Sequence, residues 1–196
     1  MSPAKDAKRS TFLGSKAESR ELNQYWYSQH TIDVLCSAIK EGLSSLEPST
    51  STRVAFLSTP SLFFAFDSVE RENFSLLDYD KTWEGEPGYN YYDYRNPLNI
   101  KKYLQHSFDM VVIDPPFISK VVWEKYSRTA RALLKEQSSS LVLCTTVYEN
   151  APLMHKLFGA TPKRFRPSIP NLVYQYSAFT NFHSIVMAEP NNEILE

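Results

Sequence analysis

The sequence has little cysteine and no residues at metal-ligand spacing. Its two cysteines, Cys36 and Cys144, lie in apolar runs, and no C-x-x-C motif is present. This pattern excludes a disulfide-stapled scaffold and predicts buried free thiols in a reducing compartment. The four histidines are scattered along the chain, so we expect no metal site.

The sequence also lacks a long apolar segment and a marked net charge. No stretch approaches the roughly 20 apolar residues that span a bilayer, and residues 1–6 contain no apolar signal core. We therefore expect a soluble, cytoplasmic protein with no membrane partner. The formal net charge of −1 gives no bulk attraction to a polyanion, which argues against a nucleic-acid partner.

One local basic cluster stands out against this balance of charge. Lys163, Arg164 and Arg166 lie on either side of Phe165. Two interpretations stay open for them. The cations are solvated positions on an edge strand, or they dock an acidic surface of a protein substrate.

Length and composition predict a single folded domain. A chain of 196 residues with 42% hydrophobic content is long enough to bury one full α/β core. Residues 1–20 are mostly charged, small or polar, with Phe12 and Leu13 as an isolated apolar pair, which is typical of a disordered extension. We predict disorder over 1–20, one domain over 21–196, and a monomer.

Strand patterns alternate with helix patterns along this domain, which predicts an α/β fold with a mostly parallel sheet. The predicted strands are 53–57, 74–77, 89–92, 108–113, 141–144, 163–168 and 173–182. One predicted helix begins after an N-cap at Ser28 and carries an apolar stripe of Ile32, Leu35, Cys36, Ile39 and Leu43. The other predicted helices cover 62–66, 119–134 and 150–158. The last two strands alternate and lie close in sequence, so we expect them to form a C-terminal antiparallel pair.

Three of the predicted strands end in an acid: Asp78, Asp93 and Asp114. Open α/β sheets bind ligands outside the carboxyl ends of their strands, so these acids are expected to line one crevice. Asp78 follows Leu57, at the end of the first strand, by 21 positions. That is close to the spacing of about 20 that places an acid on the ribose of a nucleoside cofactor. The alternative for each acid is a turn or helix cap.

The motif Asp114-Pro115-Pro116-Phe117 follows the apolar run at 108–113. Each proline lacks an N–H and restricts φ, so the loop presents carbonyls and one carboxylate in a fixed geometry. An amine satisfies these acceptors while Phe117 packs against its plane or its positive charge. The motif therefore predicts a site for an amine that is to be alkylated.

Several further segments accompany this loop in a pattern that resembles a known family. They are Gln24-Tyr25-Trp26-Tyr27-Ser28-Gln29, Leu57-Ser58-Thr59-Pro60-Ser61, Asp78-Tyr79-Asp80, Tyr92-Asp93-Tyr94-Arg95-Asn96-Pro97-Leu98 and residues 107–117. With the loop they resemble class I S-adenosylmethionine-dependent methyltransferases, and among these the protein-lysine methyltransferases of translation elongation factor 1-alpha. Members of that group were formerly labelled adenine-specific DNA methyltransferases. The resemblance covers about residues 22–182.

The resemblance implies a Rossmann-like fold with a seven-stranded sheet and helices on both faces, S-adenosylmethionine as cofactor and elongation factor 1-alpha as substrate. It also implies residue roles. Asp114, Pro115, Pro116 and Phe117 match the methyl-acceptor site. The implied cofactor residues are Ser58, Pro60 and Ser61 after the first strand, Asp78 or else Asp80 at the ribose, Asp93 at the adenine amine and Tyr94 on the ring.

The turn after the first strand departs from the superfamily pattern. Most members have a Gly-x-Gly-like turn there, whereas this chain has Ser58-Thr59-Pro60-Ser61 and only 5 glycines in all. The lysine methyltransferase group has a similar Ser-x-Pro-Ser turn. The departure therefore supports the narrower resemblance and leaves the contacts to the methionine part of the cofactor open.

The adjacent aromatics Tyr25, Trp26 and Tyr27 have two interpretations. As core residues they would attach the following helix to the sheet. As functional residues they would form a lid over the cofactor and the target side chain, and contribute to an aromatic cage for a methylated lysine. We favour the lid.

Two alternatives to a lysine methyltransferase follow from the same residues. The Asp-Pro-Pro-Phe loop by itself fits a conjugated amine, such as that of adenine, slightly better than lysine. Methylation of a duplex, however, requires base flipping and a sizeable basic face, which this sequence does not indicate. An inactive binding module is the second alternative, and the missing glycines are its only support.

Overall fold

A twisted sheet forms the centre of the protein in the computed structural model, which describes residues 13–14, 16–46, 52–136 and 140–194. Over these residues the sheet has seven strands in the order β3-β2-β1-β4-β5-β7-β6. They are β1 (Val54–Leu57), β2 (Phe74–Asp78), β3 (Tyr89–Tyr91), β4 (Met110–Ile113), β5 (Leu141–Val147), β6 (Thr161–Pro162) and β7 (Tyr176–Thr180). Strands β1 to β5 are parallel, and β7 is antiparallel to both β5 and β6.

Helices cover both faces of this sheet, as the sequence predicted. The helices are α1 (Gln29–Ser44), α2 (Pro60–Phe63), α3 (Lys120–Leu133) and α4 (Ala151–Phe158). Successive side chains of a strand point to opposite faces, and β1 shows the consequence. Val54 and Phe56 pack in the cluster that contains the α1 side chains, whereas Ala55 and Leu57 pack in the cluster of α3 and α4. Both faces of the central strands are therefore buried.

Helix α1 has the limits and the buried face that its sequence pattern predicts. The Ser28 hydroxyl caps its start by accepting from the backbone amide of Thr31 at 3.1 Å. Its buried stripe contains Ile32, Leu35, Cys36 and Ile39. Cys36 and Cys144 are both buried, which confirms the burial predicted for the thiols.

The predicted strand over residues 163–168 is wrong. Strand β6 covers only Thr161–Pro162; the Lys163 amide still bonds to the Ala178 carbonyl of β7, and the residues after it leave the ladder. Pro162 and Pro167 lack the N–H that a longer strand would need, and the amide of Phe165 bonds instead to the carbonyl of Met187 at 3.1 Å. The predicted antiparallel pair at the C-terminus is confirmed between β6 and β7.

Part of the predicted N-terminal extension, residues 1–12 and 15, lies outside the described residues. Residues 16–20 make contacts with the domain. The indole Nε1 of Trp26 donates to the carbonyl of Lys16 at 3.0 Å, and the backbone amide of Trp26 donates to Glu18 at 2.9 Å. The boundary at residue 20 stays a prediction. Within the described ranges, no helix has both the length and the apolar character for crossing a bilayer.

Candidate active site

The candidate site is a cavity of about 280 Å³ outside the carboxyl ends of β1, β2 and β4. Its lining contains every predicted catalytic and cofactor residue: Ser58, Pro60, Ser61, Asp78, Asp80, Asp93, Tyr94, Asp114, Pro115, Pro116 and Phe117. Residues 21–26 close one side. The prediction that acids at successive strand ends meet in one crevice is confirmed, because parallel strands place their carboxyl ends on the same edge.

Asp114 accepts hydrogen bonds from neutral donors. The Thr145 hydroxyl donates to its Oδ1 at 2.9 Å, and the hydroxyl oxygens of Tyr27 and Thr145 lie 2.7 Å apart. A hydroxyl has one proton to give, so the chain of donors runs from Tyr27 to Thr145 to Asp114. Burial raises the pKa of Asp114 to about 6, although the hydroxyls of Tyr27 and Thr145 lower it in part. The carboxyl is thus oriented but still partly protonatable near neutral pH.

The two prolines that follow Asp114 present their carbonyls as expected, and one carbonyl has a partner. The side-chain amide of Asn23 donates to the Pro116 carbonyl, which ties the N-terminal segment to the loop. Phe117 is 51% exposed, and its ring meets Tyr94 edge to face with centroids 6.4 Å apart. The loop therefore offers an exposed aromatic face beside its acceptors.

Asp78 is a buried carboxylate that has no cationic partner among the described residues. The backbone amide of Asp80 donates to its Oδ1 at 2.8 Å, and the amide of Tyr79 also faces it. The pKa of Asp78 is raised to about 7: burial is the largest cause and the nearby charge of Asp80 adds to it, while the two amides oppose the shift. A ligand with hydroxyl donors would stabilise this carboxylate, as the ribose of a nucleoside does.

The other two acids have local partners. Asp80 accepts from the Thr82 amide at 2.9 Å and caps the short 3₁₀ helix Lys81–Trp83, so the cap interpretation describes it. Asp93 accepts from the Arg95 side chain, whose Nε lies 2.9 Å from each carboxylate oxygen. These bonds lower the pKa of Asp93 below its ordinary value. A ligand amine at Asp93 would share the carboxylate with Arg95.

The turn after β1 shows how this chain replaces glycine. Ser58 has a φ of +56°, a left-handed conformation that costs a residue with a Cβ about 1 to 2 kcal/mol. Its hydroxyl lies 2.7 Å from the hydroxyl of Tyr126, a bond that helps to hold the turn. Tyr126 in turn stacks on Tyr94 with ring centroids 6.0 Å apart. The buried Thr59 hydroxyl beside the cavity has no hydrogen-bond partner among the described residues.

The aromatic triplet divides between the cavity and the core. Tyr25 is half-buried and lines the cavity, and Trp26 lines it while it packs with core residues. Tyr27 is buried and belongs to the core, where its hydroxyl reaches Thr145. The core interpretation therefore describes Tyr27, and the lid stays a prediction for Tyr25 and Trp26.

Sequence reasoning missed several residues of the site, among them Asn23, Thr59, Tyr126, Thr145 and Tyr176. One of them had a usable signal. Thr145 follows directly after the apolar run of β5, which places a hydroxyl at the carboxyl end of a strand beside Asp114. Thr59 lies inside the turn after the first strand that the sequence already marked, whereas no local pattern marks Tyr126 or Tyr176.

Solved structures with the same fold agree with this arrangement. A branched-chain polyamine synthase mutein from Thermus thermophilus matches with a TM-score of 0.61 and 13% identity, over 90% of this chain and 62% of that one. A protein described as a "predicted O-methyltransferase" from Agrobacterium tumefaciens matches with a TM-score of 0.50 and 13% identity, over 76% and 78%. With its strand order and crevice, the protein has the class I methyltransferase fold.

Sequence comparison gives the family. The family described as "Probable N6-adenine methyltransferase" matches residues 18–184, and the chain belongs to it. EEF1A lysine methyltransferase 1 of Gallus gallus is 32% identical over 88% of this chain and 79% of its own. The Homo sapiens protein of that name is 31% identical over 94% and 83%. Protein-lysine N-methyltransferase EFM5 of Saccharomyces cerevisiae is 30% identical over 84% and 65%.

The burial of Asp78 predicts a stability change that needs no ligand to observe. Its folded-state pKa of about 7 lies above the ordinary 3.8, so ionisation destabilises the fold as the pH rises between these values. Asp78→Asn removes that cost and keeps an acceptor for the Asp80 amide. As the pH rises from 5 to 8, the free energy of unfolding of the variant should therefore increase by about 2 to 3 kcal/mol relative to that of the wild type.

Urea unfolding at both pH values measures this difference. Asp93→Asn is the matched control, because the pKa of Asp93 is lowered and its loss should destabilise at pH 8. A wild-type protein that stays more stable than Asp78→Asn at pH 8 would show that Asp78 is not a buried, uncompensated carboxylate.

Proposed function

We propose that this protein is an S-adenosylmethionine-dependent protein-lysine N-methyltransferase that acts on translation elongation factor 1-alpha. The negative charge of the cavity lining is the observation that favours a cationic substrate. Among the described lining residues, five are acids, Glu21, Asp78, Asp80, Asp93 and Asp114, and one is a cation, Arg95. Arg95 is already paired with Asp93 at 2.8 Å. A cavity lined in this way attracts a lysine ammonium.

The same charge argues against nucleic acid. A flipped base would bring its flanking phosphates to the rim of the cavity, where acids would repel them. The family description names adenine, whereas relatives at about 30% identity are named lysine methyltransferases. The acidic lining agrees with the names of these relatives.

The residues of the cavity fit S-adenosylmethionine. In this proposal the buried Asp78 accepts from ribose hydroxyls, Asp93 accepts from the adenine amine and Tyr94 stacks on the ring, and all three line the cavity. Ser58, Pro60 and Ser61, in the turn after β1, line the same cavity. When bound, S-adenosylmethionine supplies an activated methyl group.

Asp114 binds and orients the target nitrogen. A lysine ammonium has an ordinary pKa of about 10.4, so it must lose a proton before its nitrogen can be alkylated. The raised pKa of Asp114, about 6, makes it a better transient proton acceptor than an exposed carboxylate. The rigid proline carbonyls supply further acceptors, and Tyr25, Trp26 and Phe117 keep water from the nitrogen.

The protein acts as a monomer in the cytoplasm in this proposal, with no membrane or nucleic-acid partner. The buried thiols of Cys36 and Cys144 suit a reducing compartment. Light scattering on the purified protein would contradict the monomer by giving twice the mass of one chain, and fractionation of its cells would test the compartment.

The proposal is tested by incubation with S-adenosylmethionine labelled in its methyl group. Purified elongation factor 1-alpha should accept the label on lysine, while duplex DNA and RNA should stay unlabelled. Acid hydrolysis of the product followed by amino-acid analysis identifies the methylated residue. Label in nucleic acid alone would reject the lysine methyltransferase in favour of the adenine enzyme.

Replacement of Asp114 should separate transfer from cofactor binding. Asp114→Ala removes the acceptor for the target nitrogen and should lower transfer by at least about 100-fold. The Kd for S-adenosylmethionine, measured by calorimetry, should change little because Asp78 and Asp93 remain. Transfer by the wild type should fall as the pH drops through about 6, where Asp114 becomes protonated.

Asp114→Asn keeps the shape of the side chain without its charge, so the acid limb near pH 6 should disappear from the little activity it retains. An unchanged acid limb in this variant would assign the limb to another group.

Tyr27→Phe tests the donor chain to Asp114. The Tyr27 hydroxyl lowers the pKa of Asp114, so its loss should shift the acid limb of the rate profile to higher pH. The loss of about one buried hydrogen bond should move this limb by about one pH unit, so kcat should fall about tenfold at pH 5 but only about twofold at pH 7. Tyr92→Phe is the control, because Tyr92 forms a similar 2.7 Å pair with Thr129 that includes neither Thr145 nor Asp114. Equal shifts in both variants would reject the donor chain.

A further inference from the structure

A second concavity, which we call the basic groove, lies beside the candidate active site and has a volume of about 500 Å³. It is bounded by the end of β5 and the turn after it, by the residues after β6, and by the residues before and at the start of β7. Its lining residues are Val147, Tyr148, Glu149, Lys163, Arg164, Arg166, Tyr174, Gln175 and Ser177.

The charge of the basic groove is opposite to that of the cavity. Lys163, Arg164 and Arg166 face a single acid, Glu149, among the described lining residues. None of these three cations forms an ion pair within the described part of the chain. Partial burial lowers the pKa of Lys163 from its ordinary value. An anionic ligand would relieve both the mutual repulsion of the cations and this cost.

The cationic segment is held in place by its backbone. The amide of Lys163 donates to the Ala178 carbonyl at 2.8 Å, and the carbonyl of Arg166 accepts from Asn191 at 2.9 Å. Between them, the buried Phe165 anchors the segment in the core, while Arg164 and Arg166 stay exposed. The two guanidinium groups therefore extend from a fixed support, so less freedom is lost when they bind.

Two exposed tyrosines add the features of a protein-binding surface. Tyr148 and Tyr174 are 63% and 62% exposed and lie on the lining of the groove with the cations. Tyrosine and arginine are enriched at protein interfaces, because an aromatic ring buries area at low entropic cost and the guanidinium pairs with carboxylates.

The groove and the cavity share a wall. Tyr176 lines the cavity, and its chain neighbours Gln175 and Ser177 line the groove. Val147 at the end of β5 pairs with Tyr176 in the sheet. A polypeptide with its lysine in the cavity therefore passes close to the groove with the residues that flank this lysine.

We propose that the basic groove docks an acidic segment of the protein substrate next to the target lysine. This inference rests on the proposed function and adds a requirement for substrate recognition. An RNA strand would fit this surface less well, because its phosphates would also meet Glu149 and the acidic lining of the cavity, which repel them. A peptide that carries a lysine beside acidic residues matches the charge of both sites.

The test compares two charge reversals of equal size. Arg164→Glu with Arg166→Glu inverts the groove at exposed positions, and Lys101→Glu with Lys102→Glu makes the same charge change at exposed positions outside both linings. Each protein is assayed with labelled S-adenosylmethionine and purified elongation factor 1-alpha at low and at high salt. Melting temperature and cofactor Kd are measured in parallel.

The groove variant should raise KM for elongation factor 1-alpha about tenfold at low salt, with kcat and cofactor Kd nearly unchanged. Added salt should raise the wild-type KM toward that of the variant. The control reversal should leave KM within about twofold of wild type. Equal KM values for the groove variant and the wild type would overturn the proposal.

Two other outcomes would also decide the matter. A labelled RNA oligomer that binds wild type but not the groove variant, with transfer to elongation factor 1-alpha unchanged, would replace the protein partner by RNA and overturn the proposal. Wild-type protein that does not methylate elongation factor 1-alpha would instead refute the proposed function, on which the docking inference rests.

Discussion

Two desolvated carboxylates that have no cationic partner among the described residues, Asp78 and Asp114, are the constraint on which the functional part of this structure depends. Each lies at the carboxyl end of a central parallel strand, and its hydrogen bonds come from neutral donors: backbone amides for Asp78, and the Thr145 hydroxyl, backed by that of Tyr27, for Asp114. Neutral donors orient a carboxylate but compensate its lost hydration only in part. Both pKa values are therefore raised. The fold carries this cost because both faces of the sheet are buried under helices.

The distribution of charge explains how a chain with a net charge of −1 can select a charged substrate. Four of the five acids collect in the cavity because the strand order brings the ends of β2, β3 and β4 to one edge. The cations Lys163, Arg164 and Arg166 collect beyond β7, which forms the wall between the two regions. Regions of opposite charge that lie close together orient a partner segment that carries both signs of charge, and net charge alone does not have this effect.

Much of the fold followed from local patterns. The apolar runs at 54–57, 74–78 and 110–113 are buried on both faces, and runs of this kind predict central parallel strands without knowledge of their neighbours. The α1 stripe and its Ser28 cap were equally readable. The extent of strand β6 was not readable. The alternation over 163–168 comes from an irregular segment that turns Phe165 into the core, where its amide bonds to the Met187 carbonyl. Alternation alone does not distinguish a ladder from such a segment.

The sequence by itself determined the acceptor loop, the acids at the strand ends and the family to which these residues belong, because each is written in contiguous residues whose chemistry does not depend on distant partners. Only the tertiary structure decided which of these acids are compensated. Arg95 donates to Asp93, and the start of a short helix donates to Asp80, whereas Asp78 and Asp114 keep raised pKa values. It also placed Tyr27 behind Asp114, through Thr145, and Asn23 on Pro116. Desolvation and long-range hydrogen bonds depend on packing in three dimensions, and no local pattern records them.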